Sequence, residues 1–231
     1  MAVKVIECNP IQHTGDCSIT FIRIDPENLQ DTLSQIIKVL MDLSWLSRFD
    51  QDYMKDSFRQ RANETIADIQ KKIADSSDDK VTKEAGEYVV SELARESLIS
   101  KMNYLDIPLA ELLGMKVSGN PGFDFHSQNN GTHTVIFGEA KYNSRQSAYD
   151  SAIKQIYQFI TDKKDIKQIA DLHPFCTQEA LTRANSGYKG FAIAFSAKST
   201  SSDTLIANIL EHTNFRELSK HEEIVIVAVN L

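Results

Sequence analysis

Apolar positions along the chain follow a strand-like period first and a helical one afterwards. Residues 3–8 and 17–24 are β-branched and partly alternating, which predicts two strands. Asp25-Pro26-Glu27 offers an N-cap acid and a first-turn proline, and so a helix start. Leu29, Leu33, Ile36, Ile37, Leu40, Leu43 and Leu46 then recur at helical spacing and predict one long amphipathic helix. A second helix with a weaker apolar face is expected over 51–74. Residues 75–80 (Asp-Ser-Ser-Asp-Asp-Lys) break the pattern and read as a linker.

Beyond that break the pattern predicts a helix over 83–100 and a mixed stretch over 104–121 closing in the turn Gly119-Asn-Pro-Gly122. Strands are expected over 123–128 and 132–142, joined at Asn129-Asn130-Gly131, because Asn-Gly between apolar runs is a strong hairpin signal. A helix over 144–162, a polar loop, a buried strand over 190–195, a helix over 203–213 and a final buried strand over 223–229 complete the order. This is an α/β layout with a mixed sheet flanked by helices. Residues 1–75 form an N-terminal strand-and-helix extension, expected to pack on a core of residues 83–231.

Composition narrows the class. Of 231 residues, 42% are hydrophobic and 25% charged, as in an ordinary globular protein. No apolar run approaches the roughly 20 residues that span a bilayer, and residues 1–8 lack the apolar stretch of a secretory signal. Cys8, Cys17 and Cys176 contain no Cys-x-x-Cys pair, so neither a disulfide framework nor a zinc ribbon is indicated. A reducing, cytoplasmic location is the expectation. The formal charge of −7 argues against a strong free-standing nucleic-acid binder, because such proteins carry a basic face that neutralises phosphates. It suits an acidic metal site, or a partner that delivers the nucleic acid.

Candidate chemistry gathers in the predicted hairpin. Glu139 and Lys141 lie inside the apolar run 135–142, where a charge is costly unless it is paired or holds a metal. The same acid-x-lysine spacing at Asp78–Lys80, Asp162–Lys164 and Asp165–Lys167 falls in polar surroundings and reads as solvated surface. A two-residue Asn130-Gly131 loop sets Asp124 opposite Phe137, with Glu139 as its diagonal neighbour and Lys141 on the same face. On the preceding helix Glu87 shares a stripe with Val90, Ala94 and Leu98, whereas Glu92 and Glu96 point away to solvent. A buried salt bridge explains Glu139 and Lys141 as well as a metal site does. For a metal, the carboxylates of Asp124, Glu139 and Glu87 are hard oxygen ligands suited to Mg2+ or Mn2+.

An acid on a helix, Asp on one strand and Glu-x-Lys on the next resemble the PD-(D/E)xK nuclease superfamily over residues 83–231. That resemblance implies a restriction-endonuclease-like core of a helix, a three-stranded meander, a helix and a further strand. It implies Asp124, Glu139 and Glu87 as metal ligands and Lys141 as the catalytic lysine. Phe123 stands where many members have proline, and the third strand of the meander has no clear counterpart. Gly86-Glu87, Gly122-Phe-Asp124 and Gly138-Glu-Ala-Lys141, with the N-terminal strands and long helices, resemble more narrowly the HamA family, nuclease subunits of Hachiman anti-phage defence. This implies a Mg2+-dependent DNA endonuclease and a partner helicase, HamB. The alternatives are a non-catalytic binding subunit on the same fold, with its N-terminal helices offering apolar surface to a partner, or a stand-alone restriction endonuclease.

Other groups carry less. His126 and His133 flank the hairpin turn and read as surface histidines, His173–Cys176 is half a zinc motif, and Cys8 and Cys17 read as packing residues. Arg145, Lys154, Lys163, Lys164 and Lys167 form a local positive cluster, either a phosphate track or a solvated helix end.

Overall fold

A computed structural model of the chain describes residues 3–76, 81–115 and 121–231. Residues 77–80 of the expected linker, among them Asp78 and Lys80, and residues 119 and 120 of the expected turn lie outside these residues. Six strands form one mixed sheet in the order β1-β2-β6-β5-β4-β3. They are β1 (Lys4–Pro10), β2 (Ser18–Asp25), β3 (Phe125–Asn129), β4 (Thr134–Lys141), β5 (Gly190–Ala197) and β6 (Glu223–Asn230). β2, β6, β5 and β4 run parallel, and β1 and β3 pair antiparallel at the two edges. The first two strands therefore extend the same sheet as the last two. β5 and β6 are buried on both faces, which is why their sequences are almost continuously apolar.

Each face of the sheet has its own core. On one face α1 (Leu29–Leu40), α2 (Asp52–Ala74) and α3 (Lys83–Met102) pack over Ile22, Ala192 and Val227. On the other, α4 (Tyr149–Thr161), α6 (Gln178–Asn185), α7 (Ser202–Glu211) and α8 (Thr213–Leu218) pack over Phe137, Phe191 and Ile226. A short α5 (Lys164–Gln168) and two 3-10 turns, Ser44–Arg48 and Ile169–Leu172, complete the set. No helix among the described residues is long and apolar enough to cross a membrane.

Several elements differ from expectation for local reasons. The first helix begins at Leu29, with Asn28 rather than Asp25 as its cap; the Asn28 side chain accepts from the Asp31 N–H at 3.0 Å. The expected long helix stops at Leu40, because the Asp42 carboxylate takes the Ser44 N–H at 2.9 Å and starts a separate turn. The polar loop after residue 162 contains α5 and α6, and there Asp165 is buried in an ion pair with Lys189 rather than solvated. The expected three-stranded meander is, among the described residues, the β3/β4 hairpin alone. A segment containing Pro108, which has no N–H to give a ladder, covers the outer edge of β3. Its Leu105 N–H donates to the Gln128 carbonyl at 2.9 Å and its Ala110 N–H to the Asp124 carbonyl at 3.0 Å.

Helix α3 is the central helix, enclosed between the sheet and the pair α1 and α2, so its buried surface extends beyond one stripe. Glu92, expected to face solvent, is fully buried there. Its two oxygens accept from Arg95 at 2.9 and 2.6 Å, and Arg95 also pairs with Asp106. Leu33, Ile36 and Leu40 of α1 and Ala62, Ile66, Ile69 and Ile73 of α2 are buried in this packing, while Met41 and Tyr53 at the helix ends stay exposed.

Arg95→Met leaves the Glu92 carboxylate in the core without its guanidinium, a loss on the order of 3–5 kcal/mol. At a few degrees per kcal/mol, thermal denaturation is expected to show a midpoint about 10 °C lower. The double change Glu92→Met/Arg95→Met recovers more than half of that, and a single variant melting with the wild type contradicts the assignment.

Candidate metal and nuclease centre

The β3/β4 register decides which side chains meet. Phe125 pairs with Gly138 and Asn129 with Thr134, so four residues, not two, make the loop. The Asn129 side chain accepts from the N–H groups of Gly131 and Thr132 at 2.9 and 3.3 Å, and His133 takes a left-handed φ of 53°. Relative to the expected register β4 is displaced by two residues along β3, an even shift that preserves the faces. His126, not Asp124, now lies opposite Phe137, and Asp124 moves up to the level of Glu139.

Asp124 lies one residue before the ladder and is almost fully buried. Its N–H donates to the Gly138 carbonyl at 2.8 Å, and its Oδ2 accepts from the Ala140 N–H at 2.6 Å. The side chain thus takes up an amide of β4 that the ending strand β3 no longer reaches. Glu139 has 0% of its surface exposed, and its Oε1 lies 2.7 Å from the Lys141 Nζ. Lys141, the last residue of β4, also reaches the Glu87 Oε1 at 3.3 Å. Glu87 is 42% exposed at its side chain and lies in the second turn of α3.

Two close approaches make this convergence possible. A Cβ on Gly86 would fall 2.2 Å from the Tyr142 ring, and one on Gly138 would fall 2.3 Å from the Phe125 ring. Glycine in both places lets α3 close on the end of β4, and β3 close on its middle. The structure therefore gathers all four expected residues at the carboxyl end of the parallel strands, where open α/β sheets place their ligands. Burial by itself would lower the Lys141 pKa, but the charges of Glu139, Asp124 and Glu87 outweigh it and hold the ammonium above the ordinary lysine value.

A cleft of about 410 Å³ opens beside these groups, lined by Lys72, Lys83, Glu84, Glu87, Glu111 and Asp124, with Tyr88 and Ser91. Sequence reasoning did not single out Lys72, Glu84 or Glu111. Glu111 lies in the irregular stretch after α3, where no periodicity marks a side chain. Among the described residues no group of three or more His, Cys, Asp or Glu side chains forms a ready-made metal cage. The donors present are hard carboxylates, and Mg2+ is commonly held by one or two carboxylates completed by water and substrate phosphate. In chemical type the donors fit such an ion, and Asp124, Glu139 and Glu87 are the carboxylates that would hold it.

The HamA family matches residues 2–175, three quarters of the chain, including Glu87, Asp124, Glu139 and Lys141. The chain belongs to the HamA family. Membership associates it with Hachiman anti-phage defence. No curated protein and no solved structure matches it.

Groups outside the cluster complete the picture of this HamA-family chain. Cys17 and Cys176 are buried, with thiols pushed up to about 12 mainly by that burial; Cys8 is exposed on the edge strand β1. Of the expected positive cluster, Lys154 pairs with Asp150 at 2.9 Å and the Lys167 Nζ donates to the Asp162 carbonyl at 3.1 Å, so both serve local contacts. His126, expected at the surface, is fully buried between Phe123 and Phe137, with its Nε2 3.2 Å from the Gln168 Oε1.

Burial brings the His126 pKa down to about 4, against smaller opposing effects of the Gln168 contact and the Asp124 charge. An unfolded histidine takes its proton near pH 6.5. Between these values the unfolded chain binds more protons than the folded one, so stability is lost as pH falls from 6.5 to 4, by about 3 kcal/mol in all. His126→Gln is expected to flatten that part of the melting-temperature profile. Parallel profiles for the two proteins would refute a neutral buried imidazole.

Proposed function

We propose that the chain is a metal-dependent DNA nuclease, the effector subunit of a Hachiman-type system, acting in the cytoplasm under the control of a helicase partner resembling HamB. The observation that carries this reading is the cluster of Lys141 with Glu139, Glu87 and Asp124 at the carboxyl end of β4, beside an open cleft. These are the residue types that the PD-(D/E)xK resemblance implies for a metal and its lysine, and their grouping supports the reading.

Asp124 and Glu139 are the residues that would hold Mg2+ or Mn2+, with Glu87 contributing from the helix. A bound Mg2+ supplies positive charge that makes a water more acidic and offsets charge developing on the phosphodiester. The chain's own contribution is positional. Backbone bonds fix Asp124 to β4, so its carboxylate stays in place through a reaction cycle. The Lys141 ammonium is already charged and anchored two residues from Glu139, where it can orient the attacking water or meet the charge on the scissile phosphate. Glu87, being half exposed, is the ion-pair partner that Lys141 can release when a phosphate arrives. The acidic balance of the chain is consistent with DNA being delivered by a partner rather than captured by a strongly basic surface.

Plasmid cleavage by the purified chain, with and without its helicase and with and without Mg2+, tests the reading. Metal-dependent nicking or linearisation is expected, falling at least about 100-fold in Glu139→Gln and in Lys141→Ala. Mg2+ at ten times its dissociation constant should raise the wild-type melting midpoint by roughly 3–6 °C, and that of Glu139→Gln by less. A folded chain that neither cleaves with its helicase nor responds to Mg2+ is a non-catalytic binding subunit.

A further inference from the structure

The carboxyl end of β4 opens on two cavities, not one. Lys83, the first residue of α3, lines both. The cleft already described carries four carboxylates, Glu84, Glu87, Glu111 and Asp124. The second cavity, of about 560 Å³, lies against Tyr142, Asn143, Ser144 and Arg145, the residues that follow Lys141. Among the described residues its lining contains a single carboxylate, Asp75. Next to it the Lys198 ammonium stands 5.7 Å from the centre of the Tyr142 ring.

Acids outnumber bases, and Lys55, Arg59, Lys154 and Lys220 each take a carboxylate three or four residues away. Lys83 and Arg145, which line the cavity, and Lys198, beside its Tyr142 wall, make no ion pair among the described residues. Lys198 is also partly buried, and that burial pulls its pKa down, so an anion beside it would be stabilising. Lys83 and Arg145 on one cavity, with Lys198 near its Tyr142 wall, give that cavity a local positive field that favours an anion.

We propose that the cavity bounded by Lys83, Tyr142 and Arg145, with Lys198 beside it, is a phosphate subsite that holds the backbone of a single nucleic-acid strand next to the phosphodiester at Lys141. Its placement relative to a scissile bond rests on the nuclease reading; its binding of a strand does not. The two cavities divide the work by charge: the carboxylate-rich cleft suits a divalent cation, and the cation-rich cavity suits a neighbouring phosphate. The size of the second cavity is that of a small-ligand pocket, enough for one or two nucleotides and too small for paired strands. Tyr142 packs against Gly86, and its hydroxyl donates to the Val81 carbonyl at 3.0 Å, so its ring is not free to stack on a base. Recognition here is by charge and independent of sequence.

The test is binding of a fluorescent 20-nucleotide (about that length suffices for full occupancy) single-stranded DNA to the full chain in EDTA, by anisotropy over a range of NaCl. Lys83→Ala/Arg145→Ala/Lys198→Ala is expected to weaken binding at least tenfold at low salt. It should also reduce the slope of log K against log salt by about 1.4, from roughly 0.7 for each of two lost phosphate contacts. Arg145→Ala alone, read in parallel and each variant checked by thermal melting, should reduce the slope by about 0.7. With Mg2+, hydrolysis of bis(p-nitrophenyl) phosphate, a diester without flanking phosphates, should proceed at the wild-type rate in Arg145→Ala/Lys198→Ala, which leaves the carboxylate-rich cleft untouched. If the wild type hydrolyses nothing while the variants still lose the strand, the nuclease reading fails and the subsite stands. Unchanged affinity and salt slope overturn the subsite even if DNA is cleaved. So does a wild-type chain that binds no strand, or an equal loss on the small diester.

Discussion

Glu139 is a carboxylate with no exposed surface, and the arrangement around it follows from the need to balance its charge. The balancing ammonium comes from Lys141, two positions along the same strand and therefore on the same side of it. Because Lys141 ends β4, its side chain can also reach past the sheet to Glu87 on α3. The pair would be costly to desolvate without further support. That support comes from Asp124, whose negative charge adds to the field that keeps Lys141 protonated. One internal charge balance thus couples two strands and a helix, and it places them where a metal and a phosphate would compete for the same groups.

The rest of the fold serves to hold that balance in place. Enclosing α3 between the sheet and the N-terminal helices fixes the height of Glu87, and it makes the N-terminal third of the chain part of what positions the site. The same enclosure requires the buried ion pair of Glu92 with Arg95, a second case of charge compensated internally. At the outer edge of β3, a segment interrupted by proline supplies hydrogen bonds that a third hairpin strand would otherwise give. It anchors the Asp124 carbonyl as it does so. The proposed division between a carboxylate-rich cleft and a cation-rich cavity adds a direction to the site, with Lys83 at the boundary.

Much of this was legible in residue order. Strand and helix periods marked the main elements, and charges in an apolar run singled out Glu139 and Lys141. The register was misjudged because Asn129 closes a wider turn through its own side chain, which a pattern of Asn-Gly does not reveal. The site survived the error, because an even shift leaves every side chain on its face. Glu92, Asp165 and His126 were misplaced for a different reason. Each is polar and locally unremarkable, and each is buried by elements distant in sequence: α1 and α2 for Glu92, Lys189 for Asp165, and Gln168 with the phenylalanines for His126.

The sequence by itself determined the α/β class, the alternation that puts Glu139 and Lys141 on one side of a strand, and the presence of acids at Asp124 and Glu87 to join them. These depend on short-range geometry, on periods of two and 3.6 residues. Only the tertiary structure decided that Glu87 reaches Lys141, that Asp124 is held by the Ala140 amide, and that Lys83 and Arg145 border one cavity. Those relations join residues separated by tens of positions, and packing of one element on another, permitted by the missing side chains of Gly86 and Gly138, sets their distances.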